Sequence, residues 1–240
     1  HNVVVAAPSA QRSGSGHGMT FARPVRVKKV TIEGLQNLPA YAIEGTPADC
    51  ARIGCTGLDV PVDMVVSGIN HGANLGSDVL YSGTVGAAME GALVGKPAIA
   101  VSVYNHQPRD FSAAVHAACW GVQYVEKHPL PQGMILNINA PELPISSIKG
   151  IKTAGLCLQS YGGDYTRFQD PFGMWHYWMS IEQKTTTFEK ANSNDEYWVQ
   201  QGYVTVTPIH YDIACYSYME QMRLDEADFF GCAGAPQGEE

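Results

Sequence analysis

The sequence predicts an α/β fold, a mostly parallel sheet with helices on both faces. Three observations carry this. Short continuous apolar runs at residues 3–7 (VVVAA), 63–67 (DMVVS) and 97–103 (PAIAVSV) read as strands buried on both faces. Segments with helical periodicity alternate with them. The loops that leave the first two strands are polar and rich in glycine, the usual texture of a ligand-binding edge.

Taken in order, the first run stops at Pro8 and gives way to the loop 9–18 (SAQRSGSGHG). Residues 25–32 (VRVKKVTI) alternate in polarity, as a half-exposed strand does. Thr46-Pro47-Ala48-Asp49 is a helix start: Thr46 as N-cap, Pro47 in the first turn, Asp49 placed for a capping box, with the helix running to about residue 54. The second apolar run leads into a Gly/Asn loop at 68–77. Val85, Ala88, Met89, Ala92 and Leu93 then fall at i, i+3, i+4, i+7 and i+8 and predict a helix over 85–95. The third run is followed by a helix at 111–125 and a short strand at 134–138.

The texture changes near residue 150, which divides an expected core (1–150) from a C-terminal region (151–240) of strands, an extended hairpin arm and a terminal helix. Asp170-Pro171-Phe172-Gly173 is a turn between aromatic-rich extended segments, so a hairpin is expected over about 165–182. Phe172, Trp175, Tyr177 and Trp178 crowd it, and an isolated hairpin cannot bury them; a second subunit is expected to do so. Residues 203–209 read as a strand, 211–223 as a helix and 231–240 as a loose tail.

Composition narrows the function classes. The chain has 240 residues, 45% of them hydrophobic, and a formal charge of −8 from 15 Lys+Arg against 23 Asp+Glu. This excludes a mostly disordered chain and argues against binding of a nucleic-acid polymer, but not against a small phosphate ligand held by backbone amides. No window reaches the roughly 18 consecutive apolar residues of a membrane span, and residues 1–8 lack the basic front of a signal peptide. Six cysteines without zinc spacing read as reduced thiols of a cytoplasmic protein.

Candidate chemistry lies in the two glycine-rich loops. The first offers Arg12, Ser13, Ser15 and His17; the second offers Asn70, His71, Asn74 and Asp78, and Tyr81-Ser82-Gly83-Thr84 then leads into the strongest helix. Hydroxyls beside free amides at a helix N-terminus make an anion site, although Ser82 or Thr84 can equally serve as a plain cap. Asn70 and Ser13 carry neutral oxygens of the kind that hard divalent cations take, but such an ion also wants a carboxylate. Asp78 and Glu90 are the nearest by sequence, one an ordinary loop charge and the other inside a helix. His17 and His71 read as solvated or capping side chains, or one of them as a proton donor. Arg12 faces a phosphate or is a surface charge.

Together these segments resemble the SurE family of stationary-phase survival proteins. The resemblance rests on Ala7-Pro8 with Arg12-Ser13-Gly14, on Glu44 to Cys50 (EGTPADC), and above all on residues 66–91 (VSGINHGANLGSDVLYSGTVGAAMEG). Asn137-Ile138-Asn139, Gly202-Tyr203-Val204 and Thr207-Pro208 extend it along nearly the whole chain. It implies a Rossmann-like three-layer sandwich, a C-terminal arm exchanged in homodimers or homotetramers, and hydrolysis of nucleoside 5′- or 3′-monophosphates, with short polyphosphate as a further substrate. It implies one divalent cation per subunit, Mg²⁺ or Mn²⁺, held by Ser13 and Asn70. Asn74, Ser82, Gly83 and Thr84 would line the phosphate pocket, and Asn70, Ser82 and Thr84 would be catalytic. The family pattern also implies a first, central strand ending in Asn-Asp-Asp-Gly, whose aspartates hold the cation. This sequence opens at what would be the second strand, so it reads as an N-terminally incomplete piece, and a catalytically silent nucleotide-binding or scaffold protein is the alternative.

Overall fold

The computed structural model describes residues 1–157, 160–162, 165–179, 182–184 and 193–223. The first three strands are β1 (Val5–Pro8), β2 (Val27–Ile32) and β3 (Leu35–Ile43). Helix α1 (Pro47–Thr56), strand β4 (Val65–His71), helix α2 (Gly83–Leu93), strand β5 (Ala98–Tyr104), helix α3 (Ser112–Lys127) and strand β6 (Met134–Pro141) follow. The remaining elements are β7 (Ile151–Thr153), β8 (Ser160–Gly162), β9 (Tyr165–Gln169), β10 (Trp175–Met179), β11 (Glu182–Lys184), α4 (Asp195–Gln200), β12 (Val204–His210) and α5 (Tyr216–Arg223). Residues His1–His210 form one unit, which includes β7 to β12 of the expected C-terminal region, and Tyr211–Glu240 a second. In the second unit α5 starts five residues later than the helix expected from 211; the expected tail at 231–240 lies outside the described residues.

The main sheet has the order β4-β5-β6-β12-β7. β4, β5 and β6 are parallel, β12 runs antiparallel to β6, and β7 is parallel to β12. Strand β5 shows why both faces must be covered. Ala98 and Ala100 pack with Val85, Ala88 and Ala92 of α2, while Ile99, Val101 and Val103 pack with Ala113, Ala114 and Ala117 of α3. Alternate side chains of one strand therefore feed two cores, which makes three layers. Each fully buried Ile or Val contributes about 1.5–3 kcal/mol relative to exposure.

A second sheet, β1-β3-β2, pairs β1 parallel and β2 antiparallel with β3. Among the described residues β1 pairs only with β3, and β4 only with β5, so each keeps one edge without a strand partner. Helix α1 packs on β1 and against α2, joining the two sheets through their helical layer. This corrects the reading of β1 and β4 as strands buried on both faces: β1 is half-buried, and Val66 of β4 is 49% exposed. Strand β3 was not expected from the sequence, because Pro39 interrupts it.

The aromatic hairpin forms as expected. β9 and β10 pair antiparallel, and Asp170 Oδ1 closes the turn by accepting from the amides of Phe172 and Met174, both at 2.9 Å. The Arg167 guanidinium lies 3.5 Å from the centroid of the Trp175 ring. Phe172 is nevertheless 92% exposed and Trp178 71%.

Candidate active site at the carboxyl edge of the sheet

The two glycine-rich loops meet at the start of α2. Ser82 caps that helix: its hydroxyl accepts from the Val85 amide at 3.1 Å, and its carbonyl accepts from Gly86. The amides of Gly83 and Thr84 lie ahead of the helical ladder and have no partner among the described residues. The first loop docks here. The Gly16 amide donates to the Tyr81 carbonyl at 2.9 Å, and a Cβ at Gly86 would stand 2.5 Å from the Gly16 carbonyl oxygen. A Cβ at Gly83 would stand 2.6 Å from the Ser15 hydroxyl, which is buried without a hydrogen-bond partner. An unpaired hydroxyl and two unpaired amides thus share one helix end, the place where backbone geometry favours an anion.

Two carboxylates tie the first loop and the segment just after it to helices α1 and α2. Glu90, 2% exposed in the middle of α2, accepts from Arg52 of α1 and lies 2.7 Å from His17 Nε2 of the first loop. Asp49 of α1 closes the capping box with Thr46 and also accepts from the Thr20 amide at 3.0 Å and the Thr20 hydroxyl at 2.6 Å. Burial would raise the Asp49 carboxyl, but the hydrogen bonds from Thr20 and Thr46 outweigh it and hold the group below the usual carboxylate range.

The model of the family described as "Survival protein SurE" matches residues 1–163. The chain belongs to the SurE family. A protein named 5'-nucleotidase SurE from Synechococcus sp. (strain JA-3-3Ab) is 38% identical over 232 residues, 96% of this chain and 89% of its relative. One of the same name from Moorella thermoacetica is 41% identical over 221 residues, 92% and 84% of the two chains. The crystal structure of the SurE protein from Aquifex aeolicus aligns with a TM-score of 0.74 at 36% identity, covering 92% of this chain and 87% of that one. The α/β three-layer expectation holds on this likeness and on the two-sided core.

Within this SurE fold the expected site residues divide into groups. Ser82, Gly83 and Thr84 form the start of α2. Ser13 is exposed on the first loop and accepts from Gln11 Nε2 at 3.0 Å. Asn70, the penultimate residue of β4, donates from its carboxamide nitrogen to the Gly72 carbonyl at 2.8 Å, which leaves its carboxamide oxygen for a ligand. Asn74 is buried and bonded to two strands of the main sheet. Its carboxamide nitrogen donates to Ser102 Oγ at 2.6 Å, and its backbone amide donates to Asn139 Oδ1 at 2.8 Å. Its carbonyl accepts from Asn137 and Asn139. His17 is paired with Glu90, and the His71 ring sits 5.3 Å from that of Phe111. Arg12 is exposed and near Cys50, whose thiol burial pushes up to about 12.

Sequence reasoning offered Ser15 among the first loop's polar groups without a specific role, did not single out Ser102 or Asp195, and treated Asn137 and Asn139 only as family landmarks. The signal for the last two was present: in MILNINAP, polar residues recur at every second position of an otherwise apolar strand, so one face of β6 had to find partners. Asp195 gave none, because it opens a helix of only six residues.

The donor set around Asn70 does not complete a divalent-cation site. Ser13 and Asn70 bring two neutral oxygens, Glu90 is spent on Arg52 and His17, and among the described residues no group of three His, Cys, Asp or Glu side chains is placed to hold a metal. The five described cysteines are free thiols, and none of the described helices is long and apolar enough to cross a membrane.

Proposed function

We propose that the chain is a phosphomonoesterase acting on nucleoside 5′-monophosphates, with 3′-monophosphates as a second substrate class. The single observation that carries this is the junction of the two loops at α2, where the Gly83 and Thr84 amides and the Ser15 hydroxyl lie unpaired beside the Ser82 cap. Hydrogen-bond donors fixed in this way stabilise charge on phosphoryl oxygens as the ester bond breaks, without reorganising at the moment of reaction. Asn74, held from both sides by β5 and β6, keeps the second loop in register with that helix end. The names of the Synechococcus and Moorella relatives support the substrate class. Ser13 and Asn70 would give a Mg²⁺ or Mn²⁺ ion two of its oxygens. The described residues add no carboxylate, so no step is assigned to that ion.

One second reading, a silent nucleotide-binding protein, is motivated by the donor set among the described residues, where no carboxylate joins Ser13 and Asn70. Phosphate release from nucleoside 5′-monophosphates with Mn²⁺ or Mg²⁺, repeated with chelator, separates the two. An enzyme releases phosphate with metal and stops with chelator. Nucleotide uptake in chelator, measured by calorimetry, with no phosphate released under either condition, would establish the binder instead. A polyphosphate hydrolase would show competition of short polyphosphate against nucleotide.

The exposed aromatic hairpin supports assembly with further copies of the chain, as a homodimer or homotetramer. A two-stranded hairpin carrying this much bare aromatic surface is not stable alone in water. Deleting residues 168–180 is expected to lower the native mass measured by light scattering; an unchanged mass would show that the hairpin is not an interface.

A further inference from the structure

Glu90 is a buried carboxylate to which the phosphate chemistry gives no task. It lies in the middle of α2 at 2% exposure, and a charge taken that far out of water is costly unless it is partnered. Arg52 Nε donates to its Oε1, and His17 Nε2 stands 2.7 Å from its Oε2. An ionised carboxylate only accepts, so Nε2 carries the imidazole proton. The two partners are not equivalent. Arg52 belongs to α1, a helix that already packs against α2, whereas His17 belongs to the glycine-rich first loop. The Arg52 bond therefore balances charge between two fixed helices, and the His17 bond ties a loop to one of them.

Residues 15–17 lie along one stripe of α2. A Cβ at Gly83 would meet the Ser15 hydroxyl at 2.6 Å, one at Gly86 would meet the Gly16 carbonyl oxygen at 2.5 Å and His17 Cα at 3.0 Å, and Glu90 receives the His17 ring. Positions 83, 86 and 90 are i, i+3 and i+7, which share one face of a helix. The two glycines let the loop backbone touch the helix, and the imidazole closes the far end. The loop needs that closure. Gly14 and Gly16, on either side of Ser15, have φ of +71° and +54°, where glycine alone moves without strain. One backbone bond, from the Gly16 amide to the Tyr81 carbonyl at 2.9 Å, fixes a single point and leaves a pivot. The Gly18 amide donates to the Ser15 carbonyl at 3.1 Å, so Ser15 and His17 turn as one piece. Glu90 stands about 10 Å along the helix from Gly83, and holding His17 there removes the pivot.

We propose that Glu90 and His17 are positioning residues for phosphoryl transfer: their bond sets the register of the first loop on α2 and so aims the Ser15 hydroxyl at the phosphoryl oxygens held at Gly83 and Thr84. This rests on the nucleotidase reading above and deepens it. Neither residue touches the substrate, and both act through Ser15.

His17→Ala is the variant that tests it, because the His17 side chain is 35% exposed and its removal opens no cavity, whereas Glu90→Ala would leave the Arg52 charge facing a hole. In steady-state phosphate release by the full chain from a nucleoside 5′-monophosphate with Mn²⁺, kcat is expected to fall about 10- to 100-fold while KM moves little. His17→Gln, whose carboxamide nitrogen keeps a donor for Glu90, is expected to recover most of that loss. The decisive comparison adds His17→Ala to Ser15→Ala. With the positioned hydroxyl gone, the second change is expected to cost less than about threefold. Losses that multiply in the double variant, or a His17→Ala protein with a lowered denaturation midpoint and wild-type kcat, would overturn the assignment. Amide hydrogen exchange reads the tether without turnover. The Gly16 and Gly18 amides are expected to exchange faster in His17→Ala, with those of α2 unchanged. Equal exchange in both proteins would sink the positioning role and leave the nucleotidase reading intact. Faster exchange in a chain that releases no phosphate would uphold the tether and sink that reading instead.

Discussion

Asp195→Ala is expected to lower the unfolding free energy by about 2–4 kcal/mol and to reduce phosphate release with it. Asp195 is fully buried, and its carboxylate accepts from the Gly76 amide at 2.9 Å and the Cys157 amide at 2.8 Å. Alanine leaves both amides without acceptors in a dry interior, at about 1–3 kcal/mol each. Part of that cost is offset, because burial outweighs these hydrogen bonds and holds the Asp195 carboxyl above its ordinary value. Removing it relieves the cost of an ionised group out of water. The sign on pH follows: the folded state binds the proton more tightly than the unfolded state. Between the ordinary carboxylate value and the raised one, this residue makes the wild type lose stability as pH rises, and the variant lacks that slope.

The functional part of the expectation comes from Gly76. Its φ is +52°, and a Cβ there would stand 2.0 Å from the Cys157 carbonyl oxygen, so the backbone is pressed against the segment that Asp195 organises. Releasing Gly76 releases the loop between Asn74 and Ser82. Denaturant midpoints at unchanged m, with phosphate release measured on the folded protein, check both parts. A stability change under about 0.5 kcal/mol would contradict the account, since that is the scale of an ordinary surface substitution.

What the sequence made legible was whatever local chemistry decides. The Thr46–Asp49 capping box forms as expected, α2 follows its apolar spacing with Ser82 as cap, and the Asp170–Gly173 turn closes on its own aspartate. Strand β5 is buried throughout apart from Tyr104, as its unbroken apolar run implied. What stayed hidden depends on contacts far apart in the chain. Nothing near Glu90 in sequence identifies Arg52 and His17 as its partners, 38 and 73 residues away, so it could be considered for a metal. Asp195 reaches Gly76 across 119 residues. The antiparallel placement of β12 beside β6 has no local signature, because a strand's own pattern sets its faces and not its neighbour or direction. At the site itself, the residue types of both loops were readable, but not that Asn74 would be consumed by the asparagines of β6, nor that Ser15 would be the hydroxyl left unpaired beside Gly83.

The claim on which the rest depends is that the end of β4 and the start of α2 form one phosphoryl site. Asn70 tests it best, because it stands at the strand end and its side chain does two things. Its nitrogen holds the turn at Gly72, and its oxygen remains for a ligand. Asn70 is half-buried and outside all three apolar clusters, so alanine there is expected to leave the fold standing. The decisive measurement is phosphate release by Asn70→Ala from a nucleoside 5′-monophosphate at saturating Mg²⁺ or Mn²⁺, with the denaturation midpoint recorded on the same sample. A fall in turnover of about 10²-fold or more at a nearly unchanged midpoint is the predicted result, because the variant lacks the carboxamide oxygen proposed for the cation. Normal turnover in that variant would contradict it.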